Sequence, residues 1–393
     1  MRLKKAEREF NAALLNNHRV SRIDIAIFGF SRGATLARAF VNKLLQKCER
    51  IDGRPHWLCT TAVDGKSAPL YIRFLGLFDT VESVGLPGHD LSGMLMHVPD
   101  DVELCLHLVA GNEIRSAFPV TRLGAITEKH REFVYPGVHS DVGGGYRPDE
   151  QARSNQLACI ALNRMRLEAT TAGVPFTPPA LLRKTISDLF EYDADLKAGF
   201  EEYEAAADIG TTLEAKMAAH MRLYYGWLKA RYATNPCDVY KNVCGANSKS
   251  EEELERIRSS HTTIVEQMDS LNWRLYWMQM EKTDRHAWHE RAKNGGVPPK
   301  LSAEELAYYE AWLNPPTLSD NLMYFSDHYV HDSRAGFKSF IGKGLYLTAR
   351  EIIAPSADHP IAAKAPPATV NTDSISFNQV TPIGSGAPSP TTP

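Results

Sequence analysis

Ser31, Asp79 and His139 are, in chain order, a nucleophile, an acid and a base, the three side-chain types that acyl transfer through a covalent intermediate requires. Ser31 lies in Gly29-Phe30-Ser31-Arg32-Gly33, a G-x-S-x-G pentapeptide. Such short patterns arise by chance, and the flanks are what give this one weight. Ile23 to Phe30 (IDIAIFGF) is a short, apolar, β-branched run that reads as a buried strand of a parallel sheet. Ala34 to Lys47 (ATLARAFVNKLLQK) leads out with helical periodicity. A serine on a sharp strand-to-helix turn has its hydroxyl lifted out of the sheet, and Gly29 and Gly33 are expected to prevent clashes there. The helix N-terminus then faces the developing oxyanion, with the Arg32 backbone N–H as the expected donor. The plainer alternative is a serine that only caps the helix.

Acid and base follow from the same logic. Asp79 ends the run Leu70 to Phe78 (LYIRFLGLF), at the carboxyl edge of a sheet, where ligands bind. His139 follows Glu132 to Pro136 (EFVYP) and enters a glycine-rich loop. Alternatives stay open: Asp79 capping a turn beside Thr80, His139 bonded only to backbone, Asp141 as a rival acid, and His331 in Tyr329-Val330-His331-Asp332-Ser333 as a rival base. His107 falls inside a predicted strand (104–110) and reads as a core histidine. His139, Asp141, His331 and Asp332 fit no established metal-ligand spacing, and His286 and His289 read as solvated, so no metal or cofactor is expected.

The elements that must position these residues alternate. Helix (5–17), strand, turn, helix, then strands at 70–78, 104–110 and 132–136 and a helix at 154–172 predict a doubly wound α/β architecture. Over 183–316 strand signals vanish, and helices are predicted at about 185–206, 211–232, 250–282 and 302–313, carrying Tyr224, Tyr225, Trp227, Trp273 and Trp277. Most of these aromatics are expected to pack the core of that subdomain, with membrane contact as the competing role. The division expected is a catalytic core at 1–182, a helical insertion or cap at 183–316, a return to the core at 317–354 and a disordered Pro/Ser/Thr-rich tail at 355–393.

Composition narrows the function classes. A net charge of -3 in 393 residues, with no basic block, argues against nucleic-acid binding. Six cysteines without a CxxC pair read as free thiols of a reducing compartment, Cys237 and Cys244 being closest in sequence. The start MRLKKAEREFNAALLNNHRV lacks the apolar region of a secretory signal, and no apolar run of 18 residues occurs.

Several segments together resemble the α/β hydrolases that include the type VI secretion phospholipase effectors: Phe28 to Ala34 (FGFSRGA) with Ala37-Arg38, Phe74 to Leu86 (FLGLFDTVESVGL), Asn112 to Pro119 (NEIRSAFP), Tyr135 to Tyr146 (YPGVHSDVGGGY) and the later YVHDSRAGF at 329–337. The resemblance implies a phospholipase of A1 or A2 type with a Ser31, Asp79, His139 triad. It implies synthesis in a bacterial cytoplasm, delivery by a type VI system into a target-cell periplasm, a secretion-spike or adaptor partner and an immunity protein. It departs in one respect: only about 22 residues precede the nucleophile strand. The fold expected is therefore an α/β-hydrolase-like parallel sheet with early strands missing, and low activity of the isolated chain. Two competing readings remain: a soluble esterase or thioesterase with the same triad, and a catalytically impaired hydrolase fold that serves as a binding module.

Overall fold

The computed structural model describes residues 2–82, 95–234, 251–335, 337, 346 and 348–355. The tail expected from 355 therefore lies almost wholly outside the described residues, as do Cys237, Cys244 and residues 83–86 of the FLGLFDTVESVGL segment. In chain order the first elements are α1 (Arg2–Leu15), β1 (Ile23–Phe30), α2 (Arg32–Gln46), β2 (Glu49–Ile51), β3 (Arg54–Leu58), β4 (Ser67–Phe78), β5 (Cys105–Ala110), β6 (Val120–Thr121), β7 (His130–Tyr135), α3 (His139–Gly143) and α4 (Leu157–Thr171). Then come α5 (Lys184–Ser187), α6 (Ala194–Ala207), α7 (Leu213–Thr234), α8 (Glu251–Thr283), α9 (Arg285–Gly295), α10 (Ala303–Leu313) and α11 (Asp320–Tyr329), and finally β8 (Ile352–Ile353).

The strands β1, β4, β5 and β7 are parallel neighbours in that order. Every residue of β5 (CLHLVA) is buried, which is why the run is apolar without alternation. Helices cover both faces. From α2, Ala34, Ala37, Val41 and Leu44 pack on Leu70, Ile72, Leu75 and Leu77 of β4. On the other face, Leu157, Ala161 and Met165 of α4 pack on Phe74, Leu106 and Leu108. The inward set of β4 changes parity between Ile72 and Leu75. Its register with β1 slips there, Ile25 facing Ile72 and Ala26 facing Phe74, so Arg73 is the extra residue of a bulge. Arg73 turns to Asp24 and Glu103, both at 2.6 Å. Among the described residues β1 pairs only with β4.

An antiparallel hairpin that the sequence reading did not anticipate, β2–β3, continues onto the first residues of β4. Its two-residue loop, Asp52-Gly53, has positive φ at both positions (51° and 78°), the geometry that favours Asp-Gly in a tight hairpin.

The helical stretch has its own core. Tyr225, Trp227, Leu228, Ile264, Met268 and Tyr309 are buried together, so most of its aromatics hold helices to one another, as expected. Trp273 is the exception, 51% exposed. Helix α9 carries His286 and His289, which the sequence reading set on a helix, whereas α11 was not anticipated. Among the described residues no helix is long and apolar enough to cross a membrane.

Candidate active site

β1 runs into Ser31 and α2 runs out of it. Ser31 has φ 57° and ψ −126°, a region that side chains avoid unless the surroundings impose it. Those surroundings are identifiable. The Ser31 N–H donates to the Phe78 carbonyl (2.9 Å), and its own carbonyl accepts from Ala34 and Thr35 of α2. A Cβ on Gly29 would sit 2.4 Å from the Gly33 oxygen, so only glycine lets strand and helix approach this closely. Gly33 differs from the expectation: a Cβ there would meet nothing within 4 Å, and its value lies in chain position rather than space. Ser31 stands at the N-cap of α2 but makes no side-chain cap bond, which leaves the helix-capping alternative without support. Arg32 opens α2, so its N–H has no partner within the helix.

Asp79 closes β4, still bonded to β5 through its N–H and the Leu108 carbonyl (2.8 Å), and it too has positive φ (44°). Its carboxylate is wholly buried. One oxygen, Oδ1, accepts from the Ala110 N–H at 2.8 Å, and Oδ2 pairs with His139 Nδ1 at 2.5 Å. His139 starts α3, where the sequence reading expected loop. Its ring lies between Phe30 (centroids 4.5 Å apart) and Phe118 (5.0 Å). Phe30 immediately precedes Ser31, and its ring abuts Gly143, where a Cβ would fall 2.0 Å from it. The strand end that carries the serine, the strand end that carries the acid and the turn that carries the histidine thus converge at one edge of the sheet.

Three charged groups at this edge were missed by sequence reasoning in any functional role. Arg350, from the segment before β8, lays both Nη atoms on the Asp79 carboxylate, with Nη1 at 2.6 Å from Oδ2, and donates to the Ala110 carbonyl at 2.8 Å. Burial alone would push the Asp79 carboxyl up. Arg350 and His139 outweigh it and hold the group far below the usual carboxylate range. Glu113 is buried beneath His139 and accepts its N–H at 3.2 Å. Arg115 clamps Glu113 (2.8 and 2.9 Å) and, against the burial penalty, brings its carboxyl down to about 2. The Arg115 guanidinium also lies over the Phe118 ring at 3.8 Å.

The rivals are placed as well. Asp141 pairs with His331, whereas Asp79 pairs with His139. Asp141 Oδ1 meets His331 Nδ1 at 2.6 Å, and Asp141 Oδ2 accepts from the N–H groups of Val138 (2.9 Å) and His331 (3.1 Å). His331 stacks on Tyr146, 3.9 Å and 9° apart, and its Nε2 is buried with no hydrogen-bond partner. His107 bonds Glu132 (2.8 Å) and the Thr80 N–H (3.1 Å) inside the sheet, the satisfied core histidine expected. His286 and His289 are exposed. Among the described residues no cluster of three metal-ligating side chains occurs.

Residues 56–168 match the family model described as the type VI secretion system phospholipase effector Tle1-like catalytic domain. The resemblance to type VI secretion phospholipase effectors read from the sequence stands over that stretch, which contains Asp79, Glu113, Arg115, His139 and Asp141. A crystal structure of an uncharacterized protein from Pseudomonas aeruginosa matches with a TM-score of 0.51 and 28% identity. The match covers 79% of this chain and 41% of that one, so it spans less than half the length of that relative. A structure of the Tle1 effector bound to the VgrG spike matches at 20% identity over 56% of this chain and 62% of that one, with a TM-score of 0.39. No curated protein matches the chain.

Proposed function

We propose that this chain, similar over residues 56–168 to the catalytic domain of type VI secretion phospholipase effectors, is a serine-dependent hydrolase of α/β-hydrolase type that cleaves carboxylic esters of membrane phospholipid. One observation carries the reading. A buried Asp79–His139 pair at 2.5 Å lies beside a strained serine turn, with the imidazole packed against the residue preceding that serine.

In this reading the His139 Nδ1–H is committed to Asp79, so Nε2 is the nitrogen available to accept the Ser31 proton. The Ser31 oxygen attacks the ester carbonyl carbon and forms a tetrahedral oxyanion, which the Arg32 N–H at the start of α2 faces. His139 returns the proton to the departing alcohol, and water repeats the sequence on the acyl-enzyme to release the fatty acid. The orphaned, buried Nε2 of His331 disfavours that residue as the base, and the engagement of Asp141 with His331 disfavours it as the acid. Delivery through a type VI system, a spike or adaptor partner, an immunity protein and a periplasmic target belong to the same proposal.

The test is hydrolysis of phospholipid vesicles by the wild-type chain and by Ser31→Ala, with products resolved by acyl position and head group. Release of fatty acid and lysophospholipid by the first and not by the second is expected. Equal hydrolysis by both overturns the serine assignment. Cleavage of short soluble esters without any action on vesicles moves the substrate to a soluble ester.

A further inference from the structure

Arg350 occupies a position that the serine, acid and base chemistry does not itself require. It is 3% exposed, it comes from a segment 271 residues beyond Asp79, and both its Nη atoms lie on the Asp79 carboxylate. A buried carboxylate that answers only to a neutral imidazole carries a large desolvation cost. Paired to a guanidinium, it stays ionised, and its two oxygens are fixed in one plane by the planar fork. The Ala110 N–H on Oδ1 and the Nη2 bond to the Ala110 carbonyl hold the same plane from the β5 side.

We infer that Arg350 is a positioning residue for the proposed hydrolysis, acting through Asp79: its two Nη atoms fix the orientation of the carboxylate against His139. The inference rests on the Ser31–His139–Asp79 reading.

The sign of its effect on pH dependence follows from charge. A base that must become an imidazolium is helped by the Asp79 carboxylate and opposed by a cation next to that carboxylate. The other charged groups beside His139 are the Glu113 carboxylate that accepts its N–H and the Arg115 guanidinium that clamps that carboxylate. Arg350 is the cation that lies directly on the Asp79 carboxylate. Without it the imidazolium is favoured, and a higher pH is needed to free the base.

Arg350 is held in place by the strand that follows it. β8 pairs in parallel with β6, Val120 facing Ile352 and Thr121 facing Ile353. The Val120 N–H donates to the Glu351 carbonyl and the Arg122 N–H to the Ile353 carbonyl, at 2.9 and 3.0 Å. The guanidinium therefore arrives at Asp79 on a hydrogen-bonded scaffold.

The experiment compares pH profiles of kcat/KM on a short soluble ester for the wild-type chain, Arg350→Met and Arg350→Lys, with Ser31→Ala as the background control. For Arg350→Met the acid limb is expected to move up by about one pH unit, with a loss of about 10- to 100-fold at the plateau from a misplaced acid. Arg350→Lys keeps the charge and loses the fork. Its acid limb is expected to stay in place while its plateau falls, and it carries the test alone if the Met variant does not fold. Wild-type plateau and limb in both folded variants overturn the inference, as does a Lys variant with a displaced limb. Activity surviving in Ser31→Ala strikes instead at the serine reading, so the two failures are distinguishable.

Discussion

Two histidine–carboxylate pairs lie close together in this molecule, and they are nearly superimposable in chemistry. His139 Nδ1 meets Asp79 at 2.5 Å and His331 Nδ1 meets Asp141 at 2.6 Å, all four side chains being buried. They differ in what surrounds the far nitrogen. Around His139 are Phe30, whose next residue is Ser31, and Phe118, and its acid carries a guanidinium. Around His331 is a flat Tyr146 ring, and its Nε2 is sealed without a partner. A short bond between imidazole and carboxylate therefore does not identify a catalytic pair. Its location against a nucleophile, and what the second nitrogen can reach, do. The Asp141–His331 pair fits a scaffold better: Asp141 Oδ2 also takes the Val138 N–H, one residue before His139.

The sharpest break of that comparison is to remove each pair in turn. His139→Ala and Ser31→Ala are each expected to cost about 10⁴- to 10⁶-fold in kcat, with the double variant no worse than either, because residues acting as one unit are not additive. Vesicle hydrolysis and labelling by a serine-reactive phosphonate measure both. A dead His331→Ala beside an active His139→Ala reverses the roles of the two pairs. Gly29→Ala is expected next in size, with at least ~100-fold loss, since its methyl would strike the Gly33 backbone and displace Ser31. Circular dichroism of that variant checks that the fold survives.

His331→Ala is expected to cost about 10-fold by loosening the turn before His139, with a fall in Tm. His331→Asn, whose amide can still donate to Asp141, is expected to recover most of both. An Asn variant as inactive as a His139→Ala variant would mean that His331 acts in the chemistry. A smaller, pH-dependent effect separates the supports beneath the first pair. The Glu113 carboxyl is held at about 2 against an ordinary 4.5, so its contribution to stability is complete above pH 4.5 and is lost as pH falls toward 2. Arg115→Met removes the clamp, and acid unfolding followed by tryptophan fluorescence is expected to begin at higher pH. Least of all, Gly33→Ala is expected to stay within about twofold of wild type in activity, since its added methyl meets open space.

What sequence could read was whatever is local. Ser31 and Asp79 stand at strand ends, and the runs IDIAIFGF and LYIRFLGLF mark those ends without help from the rest of the chain. The hairpin at Asp52-Gly53 carried an equally local turn signal and went unread, its strands being only three and five residues long. His139 was placed after the correct strand but in a loop, because HSDVG has little helical character and its helix is a single short turn fixed by Asp141. Arg350 and Glu113 carry no local mark: each is one charged residue among many until the fold brings a partner from far along the chain. The choice between Asp141 and Asp79, or between His331 and His139, was likewise a tertiary question. In the proposed function it turns on which aromatic ring lies on which imidazole.

The bonds that complete this edge span unusually long stretches of chain: 190 residues from Asp141 to His331, 220 from Glu113 to Ser333 and 271 from Asp79 to Arg350. Closing loops of that length is an entropic cost met late, after nearer contacts have formed. The parallel strands and α2 can pair while the helices from α6 to α11 are still being synthesised or folded. The turn at Ser31 is then expected to form before Asp79 acquires a guanidinium, with completion of the site a separate, slower phase. In refolding experiments, far-ultraviolet dichroism is expected to recover ahead of phosphonate labelling of Ser31, and simultaneous recovery would show that sheet and site form in one step.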